Sequence, residues 1–188
     1  MADTKGARTS ARLVESMLEL IQTRGYSGTG LNTVVTHASA PKGSLYFHFP
    51  GGKEALGEKA VELAAERFRT IVSAEGTPGQ VVRRVLDALA RLLEEGDYQL
   101  GCPVSVVTLE MGAQSDRLRA ACADAFESWV APLAGHLVAH GRSREEARSL
   151  ATATVSMVEG AVIMARAQRS VTPLRYAADT LVPLLDRP

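Results

Sequence analysis

"APKGSLYFHFPGGKEAL", residues 40–56, is the stretch on which the fold turns. Leu45 and Phe49 stand four apart, so on a helix they share one face. The opposite face then carries Lys42, Gly43, Ser44, Tyr46 and His48. These are a cation, a residue small enough for close approach, a hydroxyl, a phenol and an imidazole, all suited to phosphates or base edges. Pro41 fits the first turn of a helix, where its missing N–H costs nothing. Pro50-Gly51-Gly52 ends that helix after Phe49.

Upstream, Leu13, Met17, Leu20 and Ile21 recur at helical spacing, and Gly25 stops the run. Leu31, Val34 and Val35 mark a short second helix, with Thr29 as its expected N-cap. Ser39-Ala40-Pro41 breaks it. A short helix, a tight turn and another short helix are the helix–turn–helix plan, whose second helix enters the DNA major groove.

Downstream, a connecting helix is expected over residues 53–74, with Leu56, Ala60, Leu63 and Ile71 on one face. Gly76-Thr77-Pro78-Gly79 punctuates the chain. Val82, Val85, Leu86, Leu89, Leu92 and Leu93 form an amphipathic helix to Gly96, and a short helix follows Cys102-Pro103. Leu118, Cys122, Phe126, Trp129, Leu133 and Leu137 form one helical stripe closed by Gly141, which Pro132 should kink or interrupt. Ser143 and Glu146 have capping-box spacing and open a helix to about Arg169. Thr172-Pro173 starts the last helix. No alternating strand pattern persists. The expected fold is all-α with about nine helices: a headpiece of residues 1–52, then a larger bundle of 53–188 with helix 53–74 as connector.

Composition fits this frame. Apolar residues make up 46% of the 188, enough for a packed core, and the net charge is zero. Residues 1–60 hold seven basic against five acidic side chains, so the N-terminal end is the more electropositive. Cys102 and Cys122 are the two cysteines, too few for a disulfide framework. No segment approaches the roughly 20 apolar residues of a membrane span, and no signal peptide is evident. A cytoplasmic protein without a membrane partner is expected.

Gly25-Tyr26, Thr29 and then "APKGSLYFHFPGGKEAL" resemble the DNA-binding segment of the TetR family of transcriptional repressors. "FPGGKEAL" and the later "GCPV" are similar to its LmrA/YxaF-type branch. The specific motif spans about residues 9–60; the rest agrees in length and helix pattern. The resemblance implies a homodimer whose headpieces bind a palindromic double-stranded operator and are released by a small-molecule effector. By resemblance, Thr29, Tyr46, His48 and Lys53 match phosphate-contacting positions. Lys42, Gly43 and Ser44 match positions near bases or backbone, and Asn32, Thr33 and Pro41 complete the DNA-facing set. Ser39 stands where the family's turn usually has glycine, so it must take a less comfortable conformation. Phe47 replaces a common histidine or polar residue, and Asn32 and Thr33 replace a frequent arginine and acid. These departures leave the operator sequence open.

Other residues carry weaker chemistry. Gly51-Gly52-Lys53 lacks the longer glycine pattern of a phosphate loop. His136 and His140 have the i, i+4 spacing of metal ligands, but no third ligand is nearby; a solvated pair is the simpler reading. No metal or cofactor is expected. Cys122 reads as a core thiol. Glu110, Met111, Phe126, Trp129, Met157 and Glu159 are candidates for a pocket taking an apolar or amphipathic effector. The small-residue stretch 151–167 and the last helix suggest a two-fold interface through Val155, Val158, Val162, Leu174, Leu181 and Leu185. Neither G-x-S-x-G nor H-E-x-x-H occurs, so an enzyme is not expected. The alternatives are a ligand-binding or scaffolding dimer without DNA binding, and an all-α enzyme with an unrecognised site.

Overall fold

A computed structural model of the chain describes residues 5–71 and 75–187. Among the described residues there are nine helices and no strand: α1 Lys5–Arg24, α2 Leu31–His37, α3 Lys42–His48, α4 Gly52–Ile71, α5 Pro78–Glu95, α6 Pro103–Met111, α7 Asp116–Ala139, α8 Arg144–Gln168 and α9 Thr172–Leu185. The end of the expected connector at residues 72–74, and the side chain of Ile71, lie outside the described residues.

Two compact units form. The first comprises residues 1–66 and 103–125, the second 67–102 and 126–188. This grouping differs from a division at residue 52, because the early part of α4, all of α6 and the start of α7 belong to the same compact unit as α1–α3.

In the first unit, α1 packs against α2, α3 and α6. Leu13, Met17, Leu18 and Ile21 of α1 are fully buried, as are Val34, Leu45, Leu56, Leu118 and Val104. Gly25 ends α1 at φ +78°, a left-handed conformation that favours glycine. A Cβ there would also lie 2.3 Å from Glu110 Oε1. Thr29 does not cap α2: the N-cap is Gly30, and Thr29 Oγ1 donates back to the Gly25 carbonyl at 2.7 Å. Ser39 takes φ +47°, as its position in the turn demands. Arg12 of α1 holds that turn by donating to the carbonyls of Ala38 and Ser39, the latter at 2.7 Å. Arg117 of α7 donates to Glu58 of α4 at 2.8 Å.

In the second unit, α5, α8 and α9 pack together. Leu86, Leu93, Leu137, Ala151, Ala165, Leu174 and Leu181 lie in its core. Thr77 and Gln80 form a full capping box on α5. Asp186 reinforces it by accepting from Thr77 Oγ1 at 2.9 Å and the Gly79 amide at 2.7 Å. Ser143 accepts from the Glu146 amide at 3.2 Å, but the Glu146 side chain pairs with Arg142, so only half of that expected box forms. Pro132 lies inside α7 without interrupting it.

Helix α8 corrects one expectation. An 18-residue window of it reaches mean hydropathy 1.3, long and apolar enough to cross a membrane by length and composition, with 33% of the window buried inside the chain. Ala147, Ala151, Val158, Ala161, Val162 and Ala165 face the unit's core, which supplies a structural reason for part of that hydropathy.

Candidate nucleic-acid interface and ligand cavity

α3 buries one face and presents the other. Leu45 and Phe49 are buried, so the helix is seated by the pair four residues apart. Pro41, Lys42 and Gly43 are exposed, Ser44 and His48 half-buried. Tyr46 is 63% and Phe47 80% exposed. A Cβ at Gly43 would meet nothing within 4 Å, so internal packing does not require glycine there. Asn32 is exposed on α2 and Thr33 half-buried. The result is a short helix with a cation, a phenol and an aromatic ring outward, braced through Arg12 and the turn.

Two residues expected to face phosphate are otherwise engaged. Thr29 is 0% exposed and its hydroxyl donates to the Gly25 carbonyl, so it shapes the α1–α2 loop. Lys53 Nζ sits 4.3 Å above the Tyr26 ring, a cation–π contact. Burial lowers the Lys53 pKa and the Glu110 charge opposes that effect. Burial, then the Glu54 charge, pushes the Tyr26 phenol up to about 12.

Glu110 was expected in the ligand pocket, and the structure places it in the first unit. Its Oε2 accepts from the Ser27 amide at 2.6 Å, so α6 grips the α1–α2 loop. Met111 lies in the same unit, half-buried at the end of α6. An isolated helix-end glutamate gives no sequence signal for such a long-range bond. Arg12 was missed for the same reason.

The second unit contains a cavity of about 220 Å³. Phe68 and Trp129 line it with ring centroids 4.6 Å apart. Valines 81, 82, 85, 155 and 158, with Pro132 and Leu133, supply most of the remaining wall. Arg69, Ser128, His136, Thr154 and Glu159 add polar groups. Of the expected pocket residues, Trp129 and Glu159 line the cavity. Phe126 backs Trp129 edge-on at 5.5 Å, and Met157 is exposed. His136, read as one of a solvated pair, reaches the Gly76 carbonyl through Nε2 at 3.0 Å and lines the cavity. Its ring also packs edge-on against His140 at 4.4 Å. Cys122 is buried, which pushes its thiol pKa up, opposed by a hydrogen bond with Thr108. That disfavours the reactive thiolate.

The expected interface residues are also corrected. Val158, Val162, Leu174, Leu181 and Leu185 are buried in the unit's own core, and Val155 is half-buried at the cavity wall. The faces left open are different ones: Ala153, Met157 and Met164 on α8, and Tyr176, Thr180 and Pro183 on α9. Gly160 lies within the α8 face, and a Cβ there would meet nothing within 4 Å. Periodicity marks which positions are apolar; it does not say whether they bury within the chain or between chains.

Comparison with known proteins matches both units. Residues 13–67 match the family described as bacterial regulatory proteins, tetR family. Residues 78–180 match the family described as transcriptional regulator LmrA/YxaF-like, C-terminal domain. The chain is 31% identical over 180 residues to the HTH-type transcriptional regulator LmrA of Bacillus subtilis, covering 94% of this chain and 96% of that protein. It is 32% identical to the HTH-type transcriptional repressor DhaR of a Mycobacterium species, covering 89% and 88%. A crystal structure of a TetR transcriptional regulator from Chloroflexus aurantiacus superposes with TM-score 0.80 at 27% identity, covering 97% and 96%.

Proposed function

The chain belongs to the TetR family of bacterial regulatory proteins, with an LmrA/YxaF-like C-terminal domain, and from that premise we propose a ligand-released repressor acting as a homodimer on a palindromic operator. Members of the family are DNA-binding transcriptional regulators, not enzymes. The observation that carries the finer reading is the outward face of α3, with Lys42, Gly43, Tyr46 and Phe47 exposed while Leu45 and Phe49 anchor it. A relative whose name includes "transcriptional repressor" supports repression over activation.

Residues 1–52 act as the DNA-binding headpiece and 53–188 as the effector and dimer portion. Lys42 and Tyr46 contact phosphate, and Gly43 permits close approach to the groove. The exposed faces of α8 and α9 pair with a second copy, Gly160 allowing the helices to come close. Two-fold symmetry then presents two α3 helices to half-sites roughly 34 Å apart. The effector is an apolar or amphipathic small molecule in the cavity. α4 carries Lys53 near one end and the cavity residues Phe68 and Arg69 near the other, which makes it the lever. Ligand shifts the population toward a dimer whose headpieces no longer match the half-site spacing, limited by its differential affinity for the two states. The site of action is the cytoplasm.

The test is selection from a pool of duplexes, including DNA flanking the protein's own gene, at several salt concentrations. A palindromic winner whose affinity falls steeply with salt and is lost in Tyr46→Ala supports the reading. No selected sequence, even at low salt, overturns it and favours a ligand-binding dimer without DNA binding.

A further inference from the structure

Thr154 sits on the cavity wall, 3% exposed, and its Oγ1 is buried without a hydrogen-bond partner among the described residues. Other helical hydroxyls find one. Thr108 donates to the Val104 carbonyl at 2.8 Å, Thr152 to that of Arg148 at 2.9 Å and Ser156 to that of Thr152 at 2.9 Å. Each uses the carbonyl one turn back, the ordinary solution for a helical hydroxyl. Thr154 lies between two of them on α8 and does not. A buried hydroxyl left unpaired is destabilising, and such groups in native proteins call for an explanation.

The surroundings specify what could pair with it. Phe68 and Trp129 offer aromatic surface, and valines from α5 and α8 close the wall. The other polar lining groups are already engaged: His136 with the Gly76 carbonyl, and Arg69, Ser128 and Glu159 within the chain. Arg69 and Glu159 bear opposite charges, so the wall offers no net charge to an ion, and burying an unpaired ion is costly. Threonine in a helix populates two χ1 wells, so its hydroxyl can swing toward a bound molecule.

We propose that Thr154 Oγ1 is the polar anchor of this cavity, and that the ligand is an uncharged planar aromatic molecule presenting a hydroxyl or carbonyl oxygen to Thr154 with its rings against Phe68 and Trp129. This rests on the effector-binding reading above and adds the ligand's chemical class and the residue that selects it. A threonine hydroxyl both donates and accepts, so either oxygen type satisfies it.

The test uses full-length protein and two probes differing by one hydroxyl, 2-naphthol and naphthalene, with binding read by equilibrium dialysis at neutral pH. Wild type is expected to prefer 2-naphthol by about tenfold beyond its preference in Thr154→Val, the size of one well-made hydrogen bond. Thr154→Ser keeps the hydroxyl and should keep the preference. Ligand-free Thr154→Val should melt above wild type, because it removes a buried unpaired hydroxyl; a purely structural hydroxyl would give the reverse. An unchanged probe ratio, no binding of either probe, or a lower melting temperature in the valine variant each overturns the proposal. Dialysis does not involve DNA, so the outcome is separable from operator binding. A Thr154-dependent probe that binds without weakening DNA affinity upholds the anchor and rejects ligand release.

Discussion

Ser39 shows how one side chain can sit against its own conformational preference. Its φ of +47° is left-handed, yet it has a Cβ, and the Arg12 guanidinium holds the carbonyls of Ala38 and Ser39 in the turn. Ser39→Gly should stabilise the protein by up to about 1 kcal/mol, part of the steric relief being offset by the freedom glycine gains when unfolded. Denaturant melts check this, and operator affinity should hold. Tyr26 gives a pH prediction with a definite sign. Its pKa rises from the ordinary 10.0 to about 12 on folding. The folded state therefore holds the proton more tightly, and the associated stability is complete below pH about 10 and lost as pH climbs toward 12. Lys53, lowered from 10.5, acts with the opposite sign over its own window. Stability measured in alkaline buffers should decline in wild type, and Tyr26→Phe should lack the tyrosine part of that decline. An equal decline in both would assign it to other groups.

Helices are where periodicity reads well and caps read unevenly. Leu45 and Phe49 predicted the buried face of α3, and the exposed remainder followed from geometry. Lys42 on that face should act as a phosphate contact. Lys42→Ala is expected to weaken binding to all duplexes alike and to flatten the dependence on salt by about one unit for each phosphate no longer neutralised. A change confined to one operator position would mean base readout instead. Caps were less legible. Ser143 and Glu146 have the right spacing, but Arg142 captures the glutamate; the complete box formed at Thr77 and Gln80, where the sequence showed only a turn. Thr77→Ala should cost about 1 kcal/mol, since the hydroxyl caps α5 and also bonds Asp186.

At the scale of the whole molecule, the apolar faces of α8 and α9 divide between core and surface. Leu181 is 1% exposed, and Leu181→Ala should destabilise the protomer by about 2–5 kcal/mol through a packing cavity. Met164 is 53% exposed, and Met164→Glu should leave the fold intact while giving a monomer in sedimentation and weaker operator binding. A dimer of undiminished strength would move the interface off this face.

Helical spacing, glycine stops and the 40–56 motif were enough to determine an all-α chain, its helix order and its family, because these depend on neighbours within a turn or two along the chain. The tertiary structure alone decided which candidates do what. It turned Thr29 inward, set Lys53 over Tyr26, put Glu110 on the α1–α2 loop, and gave Val158 and Leu181 to the chain's own core. It also left the Thr154 hydroxyl without a hydrogen-bond partner among the described residues at a cavity wall. Each of these outcomes depends on a group distant in sequence or on the absence of one, and local periodicity carries no information about either.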